Sequence, residues 1–244
     1  MSSPVTEVWQ AYWDAHRDSV VAPPPPFLLE SLCREVQPRD GLHVLEAGSG
    51  TGGLALELAQ RGCRVTVVDI VPRCVRDVLH AAGQAGRTLQ GAVADLFSLP
   101  FADGSFDVVF NSGVMEHFEP DVLQRGIHEL SRVLRPGGRL IVVVPSARGR
   151  FYIAGKARLE AAGQWDYGRE YPQESLAGYM QSAGLSEGHE RLTGVRWQTR
   201  FLQGWRRRVA SALTLPFGEH SSLGAALFGA YLLVSSWRKP AGAS

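Results

Sequence analysis

The sequence predicts an α/β fold in which a doubly wound, mostly parallel sheet of seven strands carries helices on both faces. Short apolar or β-branched runs alternate along the chain with segments of helical periodicity, as expected of strands linked by crossover helices. The run RLIVVVP at 139–145 is almost continuously apolar, which is typical of a strand buried on both faces of a parallel sheet. The chain has 244 residues, of which 45% are hydrophobic and 20% charged, enough for one large domain.

An N-terminal helical segment, residues 1–40, precedes the sheet. Aromatic and apolar residues spaced by three and four predict a helix over 5–20, and four prolines at 23–26 end it and form a stiff connector. A second helix is predicted at about 27–36. We expect this segment to cover the edge of the sheet as a lid.

The core of the sheet, residues 42–145, is predicted from strands that each run into a helix or loop. Its first four strands are placed at 42–46, 64–69, about 89–94 and 106–111. The second of them, RVTVVD, has only β-branched residues at its centre. A glycine-rich loop at 47–53 opens the first helix of the core, and Pro72 suits the first turn of the next, over 72–82.

The second half of the sheet follows a helix predicted over 120–135. This helix stops at RPGG, because proline and two glycines cannot continue it, and the strand at 139–145 comes next. Residues 146–171 are rich in glycine, arginine and aromatics and are predicted to form a cap insertion. The remaining elements are a helix at 173–183, a ragged strand at about 186–197, a second cap segment at 198–217 and a last strand at about 229–237.

Composition excludes several classes of protein. Three widely spaced cysteines offer no metal-ligand spacing, so no metal site is expected and reduced thiols suit a cytoplasmic protein. The N-terminus does not resemble a secretory signal, and the longest apolar stretch, 223–234, is too short to span a bilayer. The net charge of +1 gives no general reason to expect binding to nucleic acid or membrane.

Positive charge is concentrated in one segment. Six arginines lie among the 18 residues from Arg191 to Arg208. A solvated basic helix face and a contact with phosphate or an acidic substrate both remain open for it.

An acid or an amide stands at or just after the end of each of the first four predicted strands. These residues are Glu46, Asp69, Asp95 and Asn111. Right-handed crossovers bring the loops that follow parallel strands to one edge of the sheet, where such sheets bind ligands. The sequence therefore predicts a binding site at this edge.

The glycine loop, VLEAGSGTGG at 44–53, fits two kinds of cofactor. It contains the G-x-G-x-x-G of a dinucleotide site, and from Glu46 it also reads E-x-G-x-G-x-G, typical of methyl-transfer enzymes. Asp69 lies 21 residues after Gly48, where a carboxylate can accept both ribose hydroxyls of either cofactor. A carboxylate at Glu46 would repel a pyrophosphate.

Five segments in order resemble class I S-adenosylmethionine-dependent methyltransferases of the small-molecule type. They are Glu46–Gly52, VTVVD at 65–69, ADLFSLPFADGSFDVVF at 94–110, SGVMEHF at 112–118 and HELSRVLRPGGRLIVVVP at 128–145. The resemblance implies a Rossmann-like fold, S-adenosylmethionine as cofactor and methyl transfer to an oxygen, nitrogen or carbon atom. An NAD-type oxidoreductase and a non-catalytic S-adenosylmethionine-binding protein remain the alternatives.

For the adenosine half of the cofactor, the resemblance implies four contacts. Asp69 would bind the ribose, and Ile70 would lie against the adenine face. Asp95 and Leu96 would bind the adenine edge. The alternative role for both acids, and for Glu46, is capping of the following helix or loop.

For the methionine half, the resemblance places the cofactor against the backbone of Gly48, Ser49 and Gly50. Glu46 would support the amino group, directly or through water. Asn111 would lie beside the sulfonium and the amino group.

The acceptor side is predicted less directly. His117 is the candidate base by place and type, with packing of its own loop as the alternative. The resemblance implies that Tyr12 reaches the cofactor carboxylate. Aromatic residues of the first helix and of the first insertion are expected to form a lid over a hydrophobic or aromatic acceptor, or simply to pack helices on the sheet; they are Trp9, Tyr12, Trp13, Phe151, Tyr152, Trp165 and Tyr167.

Nucleic acid is not an expected substrate. The segment after the fourth strand, beginning at Asn111, lacks the Asn/Asp-Pro-Pro-aromatic run of amino-adenine methylases. No cysteine lies near this edge to serve a pyrimidine C5 enzyme. A small molecule is therefore the expected partner.

Overall fold

The computed structural model describes residues 4–15 and 22–241. Within them, seven strands form one sheet: β1 His43–Ala47, β2 Arg64–Asp69, β3 Gln90–Val93, β4 Phe106–Ser112, β5 Leu134–Pro145, β6 Ser186–Thr193 and β7 Leu232–Arg238. Across the sheet the order is β3-β2-β1-β4-β5-β7-β6. The neighbouring strands among β1, β2, β3, β4 and β5 are all parallel to one another. Strand β7 is antiparallel to both of its neighbours, β5 and β6. The predicted mostly parallel, seven-stranded sheet is confirmed.

Helices cover both faces of this sheet. They are α1 Pro4–Ala15, α2 Pro26–Val36, α3 Gly53–Gln60, α4 Pro72–Gln84, α5 Pro120–Val133, α6 Arg150–Ala161, α7 Ala177–Ser182, α8 Gly204–Thr214 and α9 Ser222–Phe228. Successive strand residues point to opposite faces. Val44 and Val67 therefore pack with α2, α3 and α4, whereas Leu45 and Val68 pack with α5 and α7. The sheet is doubly wound, as predicted.

The RPGG segment differs from its prediction. The helix predicted to reach residue 135 ends at Val133, and β5 begins at Leu134, because Leu134 pairs with Phe106 of β4. The register then shifts, so that Val108 pairs with Arg139 and the intervening residues form a bulge. The helix therefore ends before RPGG, and the proline and both glycines lie inside the strand.

Two helices lie where no helix was predicted. The insertion predicted at 146–171 contains α6, and α9 precedes the last strand. The strand predicted from residue 229 begins at Leu232, since α9 continues to Phe228 and Gly229 takes a positive φ of 69° just after it.

The N-terminal segment agrees with its prediction where it is described. α1 confirms the first predicted helix as far as Ala15, and residues 16–20 of that prediction lie outside the described residues. Pro26 occupies the first turn of α2. The division into a lid (1–40), a core (42–145) and cap segments remains a prediction.

In the part of the chain that the structure describes, no helix combines the length and apolar character needed to cross a membrane.

Candidate functional site

A cavity of about 310 Å³ lies at the carboxyl edge of β1, β2 and β4. Nine of the eleven predicted site residues line it: Tyr12, Gly48, Ser49, Gly50, Asp69, Ile70, Asp95, Leu96 and His117. The crossovers between parallel strands thus bring residues from Gly48 to His117 to one edge of the sheet, and α1 adds Tyr12. Glu46 and Asn111 do not line the cavity.

The glycine loop bends around the end of β2. The backbone amides of Gly48 and Ser49 both donate hydrogen bonds to the carbonyl of Val68, at 2.7 and 3.0 Å. Gly50 has a positive φ of 50°, and a Cβ atom built on it would lie 2.8 Å from the Trp13 ring. Both the conformation and the close approach require glycine.

Asp69 lies at the end of β2 and is buried. Its Oδ2 accepts a hydrogen bond from the Gly50 amide at 2.8 Å, and its Oδ1 accepts one from the Val71 amide at 2.9 Å. Burial raises the pKa of this carboxyl above its usual range, although the amide donors oppose the shift. The carboxylate therefore orders the glycine loop while facing the cavity.

Glu46 lies behind the loop. Its Oε2 accepts a hydrogen bond from the Ala55 amide in the first turn of α3 at 3.1 Å. Burial raises the pKa of Glu46 to about 8, with the nearby Asp69 adding to the shift. In this arrangement Glu46 caps α3, and its role toward a cofactor amino group stays a prediction.

Asn111 also acts from behind the cavity. Its Nδ2 donates to the Ala47 carbonyl at 2.5 Å, and its Oδ1 accepts from the Met115 amide at 3.3 Å. The side chain joins the end of β1 to the turn that follows β4. A Cβ atom on Gly48 would approach its Nδ2 to 3.4 Å, so Asn111 lies against the loop on its inner side. Its predicted place beside a sulfonium stays untested.

Asp95 and Leu96 form the other end of the cavity. The Oδ1 of Asp95 accepts a hydrogen bond from the Phe97 amide at 3.0 Å, forming an Asx turn. Asp95 is exposed and Leu96 is buried. The pair thus offers a polar edge beside an apolar surface, as binding of a purine edge requires.

His117 follows β4 and faces the same cavity. Its Nδ1 lies 2.9 Å from the carbonyl of Arg169, so Nδ1–H donates and Nε2 keeps its lone pair. Burial lowers the pKa of His117, which favours the neutral ring at neutral pH. The ring of Trp9 packs edge-on against it, with centroids 4.9 Å apart. His117 is therefore oriented to accept a proton.

Two carboxyl groups lie close to His117. Glu116 is 3% exposed, and its Oε2 has no hydrogen-bond partner among the described residues. Burial raises the pKa of Glu116 to about 8, and the charge of Glu170 adds to this. Glu170 Oε2 accepts a hydrogen bond from the Tyr152 hydroxyl at 2.6 Å. One ligand atom from each of Glu116, His117 and Glu170 lies within 4.8 Å of the others, so the three could hold a metal ion in common.

Aromatic residues line the cavity beside the glycine loop. They are Trp9, Tyr12 and Trp13 of α1 and Tyr167 of the first insertion, and their role as a lid stays a prediction. Arg73 of α4 secures α1 by donating a hydrogen bond from Nη1 to the Trp13 carbonyl at 3.2 Å.

The rest of the predicted aromatic set forms a second layer. Tyr152 and Trp165 pack against Phe201, and Phe151 stacks on Phe228, so these three lie outside the cavity lining.

Sequence reasoning missed several residues of the cavity, of which two lie outside the five segments that resemble the family. Tyr231, just before β7, and Glu170, in the first insertion, both line it. No motif surrounds either residue, and only the fold brings them to the edge. The run of aromatics at 165–171 was the available signal for Glu170.

Comparison with known sequences identifies the most similar part of the chain. Residues 45–142 match a family model described as a methyltransferase domain. A demethylmenaquinone methyltransferase of Thermus thermophilus is 30% identical over 172 residues, which cover 62% of this chain and 77% of that protein. An uncharacterized protein of Mycobacterium tuberculosis is 39% identical over 112 residues, 46% of this chain and 40% of that protein. The chain thus spans less than half the length of some curated relatives that it matches.

Comparison with solved structures extends the likeness to most of the chain. A geranyl diphosphate C-methyltransferase from Streptomyces coelicolor, solved with Mg²⁺, geranyl diphosphate and S-adenosyl-L-homocysteine, covers 87% of this chain and 78% of its own. The TM-score is 0.62 at 15% sequence identity. At this identity the likeness concerns the fold alone.

Proposed function

The chain belongs to the class I S-adenosylmethionine-dependent methyltransferases, and we propose that it transfers a methyl group from that cofactor to a small, apolar aromatic acceptor. One observation carries the proposal. The glycine loop, Asp69 and Asp95 line the same cavity as the α1 aromatics and His117, and we call these two sets of lining residues its first and second walls. The first wall suits a nucleoside cofactor, and the second suits an apolar acceptor.

The residues of the first wall fit S-adenosylmethionine. Ser49 Oγ is buried without a hydrogen-bond partner among the described residues, and side chains at Gly48 or Gly50 would collide with Val114 or Trp13. A dinucleotide fits less well. A pyrophosphate needs free amides at the first turn of α3, and Glu46 already accepts from the Ala55 amide there.

For the cofactor, Asp69 would hold the ribose, and Asp95 with Leu96 the adenine edge. The glycine loop would lie against the remaining part of the cofactor. S-adenosylmethionine, when bound, supplies an electrophilic methyl group on a sulfonium that departs as a neutral thioether.

The second wall supplies positioning and a proton acceptor. Trp9, Trp13 and Tyr167 exclude water and orient the acceptor, so that its nucleophilic atom is held for in-line attack. His117 Nε2 removes the proton of that atom as the new bond to the methyl group forms. Burial raises the pKa of Glu116 to about 8, so this carboxyl is mostly protonated at neutral pH, whereas burial keeps His117 neutral there; we assign the base to His117. The Thermus thermophilus relative is named for a demethylated quinone, a ring of this chemical class.

Cofactor binding is tested by calorimetry of the full chain with S-adenosylhomocysteine and, separately, with NAD. We expect binding of S-adenosylhomocysteine at one site and no heat from NAD. Binding of NAD alone contradicts the proposal.

Methyl transfer is tested with methyl-labelled S-adenosylmethionine and a panel of phenols, hydroquinones and naphthols. We expect a labelled product, and we expect His117→Ala to lower kcat by roughly 10²–10⁴-fold while binding of S-adenosylhomocysteine stays within a few-fold of wild type. His128→Ala, on the exposed face of α5, is the matched control.

Two results contradict this mechanism. Cofactor binding without any labelled product identifies a non-catalytic binding protein. Wild-type kcat in His117→Ala at every pH removes His117 as the base.

A further inference from the structure

The surface formed by α8, α9 and the turn between them, residues 204–228, concentrates exposed apolar side chains; we call it the α8–α9 surface. Six of the ten large apolar side chains exposed by the described residues lie here. They are Trp205, Val209, Leu213, Leu215, Leu223 and Leu227. None of them lines the cofactor cavity. So strong a concentration on one surface indicates an interaction site.

The apolar residues of α8 form one stripe. Trp205, Val209 and Leu213 are spaced by four residues, which places them above one another on one side of the helix. Their exposed fractions are 66%, 49% and 51%. Ala210 and Thr214 face inward and are buried, so α8 is anchored and presents the stripe outward.

Positive charge surrounds this stripe. Residues 191–218 include six arginines and no acidic residue or lysine. Three of the arginines, Arg206, Arg207 and Arg208, are exposed on α8, and in the described part of the chain no acidic group lies within ion-pair distance of them. The guanidinium of Arg206 lies 4.9 Å from the centre of the Trp205 ring. Helical periodicity places Arg206 and Arg208 on either side of the stripe.

Two other arginines of the segment have structural roles. Arg191 lies 3.7 Å from the buried Glu35, and Arg200 stacks at 4.0 Å on Trp197. Three of the six arginines of the segment therefore lie on α8, together with the apolar stripe.

The combination of an exposed apolar stripe and arginines on α8 indicates which kind of partner fits this surface. In a symmetric dimer the same surface would face itself, bringing arginines against arginines, and Glu219, the only acid among residues 204–228, already accepts hydrogen bonds from the Arg196 and Trp197 amides. A nucleic acid would satisfy the arginines but leave the aliphatic side chains without apolar contacts. An anionic bilayer satisfies both, since its phosphates attract arginine and its boundary with the acyl chains accepts Trp and Leu.

We propose that the α8–α9 surface docks the protein on an anionic lipid bilayer as a peripheral contact. Trp205, Val209 and Leu213 enter the boundary between headgroups and acyl chains, while Arg206 and Arg208, on either side of the stripe, contact lipid phosphates. None of the described helices crosses the bilayer in this arrangement.

The test is co-sedimentation of the full chain with vesicles of phosphatidylcholine alone and of phosphatidylcholine with an equal part of phosphatidylglycerol. We expect binding to the mixed vesicles, about tenfold weaker binding on raising the salt from about 0.1 to 0.5 M, and much less binding to phosphatidylcholine alone.

Variants separate the apolar stripe from the charges. Arg206→Gln with Arg208→Gln, and separately Trp205→Ser with Leu213→Ser, are each expected to weaken binding at least about tenfold. The matched control is Arg64→Gln with Arg87→Gln, two exposed arginines on or near the opposite edge of the sheet, and it is expected to bind as wild type. All variants should bind S-adenosylhomocysteine normally, which verifies their folding.

Three results overturn the proposal. They are no binding to mixed vesicles, equal binding by the variants and the control, and a stable dimer in sedimentation equilibrium that Trp205→Ser abolishes. The last result would identify a second copy of the chain as the occupant of the surface.

Discussion

Asp69 illustrates how one side chain joins the fold to the site. Its two carboxylate oxygens accept hydrogen bonds from Gly50 and Val71 at 2.8 and 2.9 Å, and each oxygen retains a second acceptor position. The capping role and the ribose role, which the sequence sets against each other, are therefore compatible. Ribose hydroxyls can donate hydrogen bonds to the remaining acceptor positions of the Asp69 carboxylate, which the glycine loop already holds in place.

Replacing Asp69 by asparagine should weaken cofactor binding. The asparagine side chain would keep one acceptor for the loop but lose the charge and the second acceptor, so we expect the Kd for S-adenosylhomocysteine to rise by about 10–100-fold, roughly 1.4–2.8 kcal/mol. Calorimetry measures this, with Asp121→Asn at an exposed position of α5 as the control. An unchanged Kd in Asp69→Asn would remove the ribose assignment.

At the residue scale, the sequence predicted where side chains gather better than which way they face. Asp69 and Asp95 follow strands directly, so topology alone brings them to the edge. The inward orientation of Glu46 and Asn111 depends on which backbone amide or carbonyl each one reaches, here Ala55 and Ala47. Local sequence does not encode those partners, because they belong to neighbouring elements.

α1 is the element that closes the cavity. It contributes three aromatic rings to the wall, and its Trp13 ring lies against Gly50. Its recorded attachments include the Arg73 hydrogen bond to the Trp13 carbonyl and the contact between Trp9 and His117. We expect α1 to open and close over a ligand.

Trp13→Ala should loosen this lid without unfolding the protein. Loss of the ring removes apolar cover from the cavity, so we expect S-adenosylhomocysteine to dissociate about tenfold faster, while the melting temperature changes by no more than a few degrees. Stopped-flow displacement and thermal unfolding measure the two effects. Trp205→Ala, an exposed tryptophan outside the cavity, is the matched control. Slower dissociation in Trp13→Ala would show instead that the ring competes with the ligand.

Among elements, those with one dominant local signal were the ones predicted accurately. β2 has the predicted bounds, Arg64–Asp69, because a β-branched run between two helices has no competing interpretation. The RPGG sequence is typical of a helix end and was predicted to follow the helix directly. Pairing of Leu134 with Phe106 instead places this segment within β5. α6 and α9 were missed because glycine and aromatic residues obscure their periodicity, and tertiary packing stabilises them instead.

On the scale of the whole molecule, two of the buried carboxyl groups of the site, in the described part of the chain, have strongly raised pKa values and no cation close by. Glu46 lies behind the glycine loop and Glu116 next to His117 of the second wall, and burial raises the pKa of each to about 8. Both are therefore protonated in the folded protein at neutral pH. In the unfolded chain, exposed glutamates titrate near 4.5.

This difference makes the stability of the molecule dependent on pH. Between about pH 4.5 and 8 the folded protein retains protons that the unfolded chain releases, so the contribution of these groups to the free energy of unfolding falls as pH rises and is constant above about 8. His117, with its lowered pKa, acts in the opposite direction below about pH 6.5. Comparing glutamate variants with wild type at the same pH separates the contribution of the two glutamates from that of His117.

Glu46→Gln combined with Glu116→Gln should remove most of this dependence, because glutamine resembles the protonated carboxyl in shape but cannot ionise. Relative to wild type, the double variant should gain on the order of a few kcal/mol in the free energy of unfolding between about pH 6 and pH 8, measured by urea denaturation at each pH. Glu174→Gln, at an exposed position, is the control and should follow wild type throughout. Parallel pH profiles for wild type and the double variant would mean that neither carboxyl is protonated in the folded protein. In that case Glu116 would be charged beside His117, and the choice of His117 over Glu116 as the base would no longer stand.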